Sequence, residues 1–262
     1  MNRVLRPAAD RAAILALCVA AWQACTWIFG AQWFSSPWST AVAFWDSLTG
    51  GLLLWHAGYT AEAAVWGLVL GGVPGALLPF LLRRSPVITA ILDPYMVGGY
   101  GMPKLALAPL FILWFGIGIE SKIALVFSIV FFVVFFNTMA GVRAVSAQHV
   151  GMARIMGASE ADIARHIVWP GAVPYIFAAL KISAPYAIGA AVVGELISSN
   201  RGIGYMVGAA ATDFDTKGVF VALLGVTVLV LAVNVAVERA ERWLLRWRPP
   251  EVAGSAGASG AA

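Results

Sequence analysis

Four apolar stretches, residues 12–30, 63–82, 123–142 and 218–237, contain no Asp, Glu, Lys or Arg. Each is close to the roughly 20 residues a helix needs to cross a hydrocarbon layer about 30 Å thick. Composition agrees. Hydrophobic residues make up 61% of the chain and charged residues 11%, where a soluble domain carries about 45–50% and about 25%. One core of this size cannot hide that much apolar surface, so a soluble globular protein is excluded, and so is disorder. A net charge of +4 is too dilute for nucleic acid. Cys18 and Cys25 both fall in the first run and match neither zinc nor disulfide-framework spacing, so no metal is expected.

Two further runs are less regular. Residues 105–119 are short for a span, and 182–200 carry Glu195 inside them. Counting both predicts an all-α polytopic membrane protein of about six transmembrane helices, at about 12–30, 60–82, 103–119, 123–142, 182–200 and 218–237. Segment 85–103 is interrupted by Asp93-Pro94 and Gly98-Gly99 and reads as a surface helix near 87–92 rather than a span. An even number of spans puts both termini on one side, and the basic residues test it. Thirteen of the seventeen Lys and Arg fall in segments 1–11, 83–84, 143–181 and 238–248, all on one face. Lys122, Arg201 and Lys217 fall on the other, and Lys104 stands at a helix start. Both termini are therefore expected in the cytoplasm. A basic start before an apolar run also fits a signal peptide, but this run is long for an h-region and Gln23-Ala24-Cys25 lacks the small-residue cleavage pattern. Residues 248–262, rich in Pro, Gly, Ala and Ser, read as a disordered tail.

The segment 143–181 is far longer than a connection between neighbouring antiparallel helices requires. Gly157 suits a helix C-terminus, and Ser159 with Asp162 suits a capping box opening a second helix that stops at Pro170. Ile163, Ile167 and Val168 share one face of that helix. Such a helix either docks a soluble partner or lies in the lipid headgroups.

This loop resembles the EAA loop of bacterial ABC importer permeases, whose pattern is Glu-Ala-Ala, three residues, Gly, nine residues, Ile, one residue, Leu-Pro. Ala153, Gly157, Ile167 and Pro170 fall at those spacings, while Gly151, Met152 and Trp169 depart from the pattern. The run Pro109 to Gly118 followed by Ser121-Lys122-Ile123, and Gly194-Glu195-Leu196-Ile197 with Gly202-Ile203-Gly204-Tyr205, are similar to the nitrate/sulfonate/taurine branch. The resemblance implies a type I importer permease fold and a coupling helix that inserts into a separate ATPase subunit. It assigns that contact to Gly151, Ala153, Arg154, Gly157, Ala158, Ser159, Ile163, Ile167 and Pro170. It further implies a second permease chain, expected as a homodimer, and an external solute-binding protein. ATP and Mg would belong to the ATPase, with no cofactor on this chain. No G-x-x-x-x-G-K-[ST] sequence is present. The substrate implied is a small solute such as a sulfonate, nitrate or taurine.

Four residues are candidates for the translocation pathway: Trp114 and Phe115 by resemblance, Asn137, and Glu195. Each has a plainer alternative. Asn137 and Thr138 can bond a neighbouring helix, and Glu195 can be a paired acid near the outer interface. Most of the eleven Trp lie near span ends, as an aromatic belt requires. Gly67, Gly71, Gly72 and Gly75 permit close helix packing, or sliding across the same surface. The binding protein would meet residues 32–56 or the loop holding Arg201, Asp213 and Asp215. Two rivals remain. An intramembrane enzyme needs a nucleophile and a His at membrane depth, whereas His149 and His166 fall in the loop and His56 ahead of the second span. An ion-driven transporter needs internal repeats, and none is evident.

Overall fold

The computed structural model describes residues 2–246, with side chains from residue 10 onward. The tail expected at 248–262 lies outside the described residues. Among those described the chain is helical, with no strand. Five helices are long and apolar enough to cross a membrane. They are α1 (Asn2–Phe29), α3 (Leu52–Leu82), α6 (Ile119–Ala144), the run Glu160–Ile197 that ends in α9 (Trp169–Ile197), and α11 (Thr216–Leu244). A further pair, α4 (Pro86–Gly101) and a 3-10 turn at Lys104–Leu107 leading into α5 (Ala108–Phe115), is long and apolar enough only when taken together, as one broken span or a re-entrant loop, and is bent by 83°. Short helices α2 (Pro37–Thr49), α7 (Ala147–Ile155), α8 (Glu160–Ile163) and α10 (Ile203–Thr212) lie between the long ones.

Several boundaries differ from the sequence expectation. The third span is not one helix over 103–119, and 85–103 is no short surface helix. Pro94 removes only one backbone hydrogen bond, and Leu92 and Met96 hold α4 against Leu82, Phe135 and Met139. The break comes instead at Met102, which is extended (φ −64°, ψ 136°) because it precedes Pro103. Residues 32–56 are not a loop. Ser36 caps α2 by accepting the Ser39 N–H at 3.2 Å, and α3 then starts at Leu52, so His56, Thr60 and Glu62 all lie inside a span. Nor does Pro170 stop a helix. Residues Ala164–Val168 form a π turn, with the Trp169 N–H reaching the Ala164 carbonyl. This widened register absorbs the missing Pro170 donor and lets α9 continue from α8. Lys181 therefore sits inside α9 rather than in a loop, paired with Glu241 of α11.

The core is the contact of α3, α6 and α9, built on Ala63, Ala64, Leu125, Val126, Val130, Ala187 and Ile188. It rests on a glycine stripe four residues apart. A Cβ on Gly67 would lie 2.3 Å from Val126 Cγ1, and one on Gly75 would lie 2.7 Å from the Phe131 carbonyl oxygen. Close packing is thus what these glycines provide in this arrangement. Gly75→Ala should destabilise the protein by about 1–3 kcal/mol, read as a lowered thermal midpoint in detergent. Gly58→Ala on the same helix, where a Cβ meets nothing within 4 Å, should leave the midpoint unchanged.

Helix α1 is largely exposed and is held near its end, where Trp22 Nε1 donates to the Ser35 carbonyl at 2.9 Å and its ring stacks on Phe220. Trp27, Trp33, Trp38, Trp45, Trp55 and Trp243 are exposed near helix ends. The alternation of the long helices gathers Arg83, Arg143, Arg154, Arg165 and Arg242 at one end of the bundle, the basic end.

Candidate functional site

At the basic end the connection between α6 and α9 is a seated structure. Ser146 opens α7, and Gly157 closes it in the left-handed region at φ +85°. The Ala158 N–H reaches the Ala153 carbonyl at 2.9 Å and the Gly157 N–H reaches the Arg154 carbonyl at 3.0 Å, which satisfies the helix end. Ser159 and Asp162 then form a reciprocal capping box.

The face expected to meet a partner points inward. Ile163 and Val168 are fully buried with Val142 and Ala172, and Ala153, Ala158, Val150 and Phe80 pack on the same cluster. Its apolar face therefore lies neither in headgroups nor against another chain. Ile163 anchors the loop to the ends of α3 and α6, as do Ala153 and Ala158, while Ile167 and Pro170 are half-buried behind them. The surface that remains belongs to α7. Ile155 is 88% exposed and Met156 84%, with Met152 beside them. These residues lie three and four apart, on one helix face. Neither Ile155 nor Met156 stands out in the motif, although apolar residues at that spacing in an otherwise polar loop were the available signal. Beside this tip Arg154 donates to Glu160 Oε1 at 2.6 and 2.9 Å, and Arg83 at the end of α3 lies 3.7 Å from Glu160 Oε2. Gly151 has open space around it.

The opposite end of the bundle holds a buried polar knot. Glu195 is 1% exposed; its Oε2 accepts from the Thr60 hydroxyl at 3.0 Å and from the Gly204 N–H at 2.8 Å. Thr60 Oγ1 in turn accepts the Ile203 N–H at 2.9 Å, and His56 Nδ1 accepts the Gly202 N–H at 3.0 Å. These donors are the start of α10, where free N–H groups and the helix dipole favour an acid. Lys122, 0% exposed, donates to the Ile117 carbonyl at 2.8 Å and the Ser198 carbonyl at 2.6 Å. The knot joins α3, α6, α9 and α10; it holds Glu195 by Oε2 alone, and the buried Oε1 has no hydrogen-bond partner among the described residues. His56 does lie at a span, unlike the sequence expectation, but its Nδ1 is occupied by a backbone donor. His56, Thr60 and Lys122 were missed as a group: the first two are i, i+4 neighbours, a signal hidden while the helix start was placed at residue 60.

Trp114 and Phe115 end α5, meet edge to face and are exposed. Asn137 is elsewhere: its Nδ2 donates to Val133 at 2.8 Å, and it lines a recess of about 370 Å³ with Tyr100, Lys104 and Tyr186. Thus Trp114, Phe115, Asn137 and Glu195 do not form one site within a single chain.

Comparison with known proteins assigns this architecture. Residues 63–247 match the family described as the binding-protein-dependent transport system inner membrane component. The chain is 32% identical over 249 residues to the riboflavin transport system permease protein of Chloroflexus aurantiacus, covering 94% of this chain and 93% of that protein. It is 33% identical over 236 residues to the putative aliphatic sulfonates transport permease protein of Escherichia coli, covering 88% and 89%. It is 32% identical over 184 residues to the taurine transport system permease protein of Escherichia coli, covering 70% and 66%. Its fold matches a chain of the MetNI methionine ABC transporter in an inward-facing conformation, with a TM-score of 0.62 over 72% of this chain and 94% of that one, at 17% identity. The chain belongs to the binding-protein-dependent transport system inner membrane component family, and it is the multi-span permease of an ABC importer, a non-enzymatic subunit that works with a solute-binding protein and an ATPase on other chains.

Proposed function

We propose that the tip of α7 is the coupling element through which the ATPase drives this permease, and that 151–170 is its EAA loop. The observation that carries this reading is an exposed apolar tip, Met152, Ile155 and Met156, on a loop whose other apolar face is locked into the chain. A seated tip transmits force: displacement of α7 passes through Ile163 and Val168 to the ends of α3, α6 and α9. The Arg83–Glu160–Arg154 network beside the tip favours a wet protein contact over a headgroup layer. The basic end is then cytoplasmic, with both termini on that side, as the charge bias supports. ATP and Mg act on the ATPase subunits, and two copies of this chain enclose the pathway.

The solute is a small one of the sulfonate, nitrate or taurine kind, delivered by the external binding protein. The named taurine and aliphatic sulfonate relatives support this; the riboflavin relative sets the competing class, a heterocycle. Proteoliposomes carrying the permease, its ATPase and its binding protein, with ATP on the ATPase side, decide between them. Saturable uptake of taurine, ethanesulfonate or nitrate is expected. Uptake of riboflavin alone would overturn the substrate assignment, and a second, different permease chain in the purified complex would overturn the homodimer.

A further inference from the structure

Lys104 stands at the 83° bend between α4 and α5. Its Nζ donates to the carbonyls of Gly99 and Tyr100 at the end of α4, and it lies 4.7 Å from the Phe132 ring centroid and 5.5 Å from that of Tyr100. With Tyr100, Asn137 and Tyr186 it lines the 370 Å³ recess. Tyr186 is close to the middle of α9, and Asn137 lies about two turns from the end of α6, so the recess is away from both ends of the bundle. It is open: Tyr186 is 62% exposed, and Tyr100 and Met102 are exposed beside it.

A lysine facing lipid near the bilayer centre costs about 2.5–3.5 kcal/mol on insertion scales. Met102, Ile129, Val133 and Ile182 line half of the recess, and the ammonium, two phenols and an amide give it a polar wall. Such a wall is compatible with water rather than lipid. Broken helices at mid-depth are also where backbone carbonyls and charged groups are tolerated, because there they line a cavity. An ammonium has three donors, and the α4 carbonyls take two, leaving one for a ligand. The negative end of the α4 dipole offsets part of the charge, so a bound anion is held without being trapped.

We propose that this recess is an anion-selecting station on the solute pathway, at which Lys104 holds the charged end of a small anionic solute while Tyr100, Tyr186 and Asn137 offer hydrogen bonds. The proposal rests on the reading of the chain as an importer of small anions, and it assigns the α4–α6–α9 face to the pathway.

The test is thiol labelling in the assembled complex. In a background with Cys18→Ala and Cys25→Ala, Tyr186→Cys is treated with an anionic or a cationic methanethiosulfonate reagent, each rate divided by that reagent's rate with a free thiol. The anionic reagent should be favoured by about tenfold, the lower range for a cleft focused by one sign of charge. Lys104→Gln should bring that ratio to about one, and Lys104→Arg should keep it. The ratio is internal, so it holds at reduced protein yield. Failure of both charged reagents and of N-ethylmaleimide to label a thiol that reacts fully once the protein is denatured would place the face in lipid, where the thiolate does not form, and overturn the proposal. A ratio near one in the parent would show Lys104 to be a helix cap only, and overturn it too. Taurine uptake should fall about tenfold in Lys104→Gln if the same focusing acts on the solute. Failure of the importer reading looks different: the parent complex then takes up none of the small anions, whatever the labelling ratio.

Discussion

Replacing Glu195 by Ala lowers the stability of the permease by about 1–3 kcal/mol, the range for leaving a buried hydrogen-bonding group unsatisfied. The knot explains why the loss is large. The carboxyl accepts from Thr60 and from the Gly204 N–H, so Ala leaves the start of α10 without an acceptor in a site closed to water and leaves the Thr60 hydroxyl only the longer bond to the His56 carbonyl at 3.3 Å. Glu195→Gln keeps the shape and one acceptor oxygen and should cost less. Thr60→Val, which loses the donor to Glu195 and the acceptor of the Ile203 N–H, should fall between. Because Thr60 and Glu195 share one network, the double variant should cost less than the two single losses added. Denaturation midpoints in detergent rank the four proteins. A Glu195→Ala protein as stable as its parent would mean that the knot does not hold this end of the bundle together.

Ile155→Asp with Met156→Asp weakens association with the ATPase by about 1,000-fold, taking about 2 kcal/mol for each central interface side chain. The fold should not change, because both side chains are exposed and no buried contact is lost. Ile163→Ala is the contrasting variant. Ile163 is fully buried among Val142, Val168 and Ala172, so it should lower stability by about 2–5 kcal/mol while leaving the tip itself in place. Thermal midpoints and ATPase co-purification, measured on both, separate contact from anchoring. If Ile163→Ala abolished binding at unchanged stability and the tip variant bound normally, the docking face would be the one the motif spacing suggested.

That contrast shows where the sequence was readable and where it was not. Gly157 and the Ser159–Asp162 box were legible because a helix end is decided by a few neighbouring residues. The direction Ile163 faces depends on Val142 and Phe80, which are remote in the chain, and no local pattern encodes it. The charge-free runs were legible because lipid tolerates little else. The same absence of charge hid α2, since no charge separates residue 12 from residue 45 and only Ser36-Pro37 marks the new helix. His56 and Thr60 disguised the start of α3, as polar residues that are satisfied by α10 more than 140 positions away. Lys122 read as a boundary for the same reason: its partner carbonyl at Ser198 is 76 residues distant. Pro170 was misjudged because a stop is the common outcome for a proline in a helix, and the π turn before it is a correction that only the folded register reveals.

The central claim is that an ATPase drives solute movement through this chain by way of α7. Its most direct test is uptake of the binding protein's solute into proteoliposomes, with the ATPase supplied with ATP, for the parent and for Ile155→Asp/Met156→Asp. The account predicts uptake that stops when ATP is removed, persists when the proton gradient is collapsed, and is lost in the tip variant. Uptake that survives ATP removal but collapses with the proton gradient would contradict it.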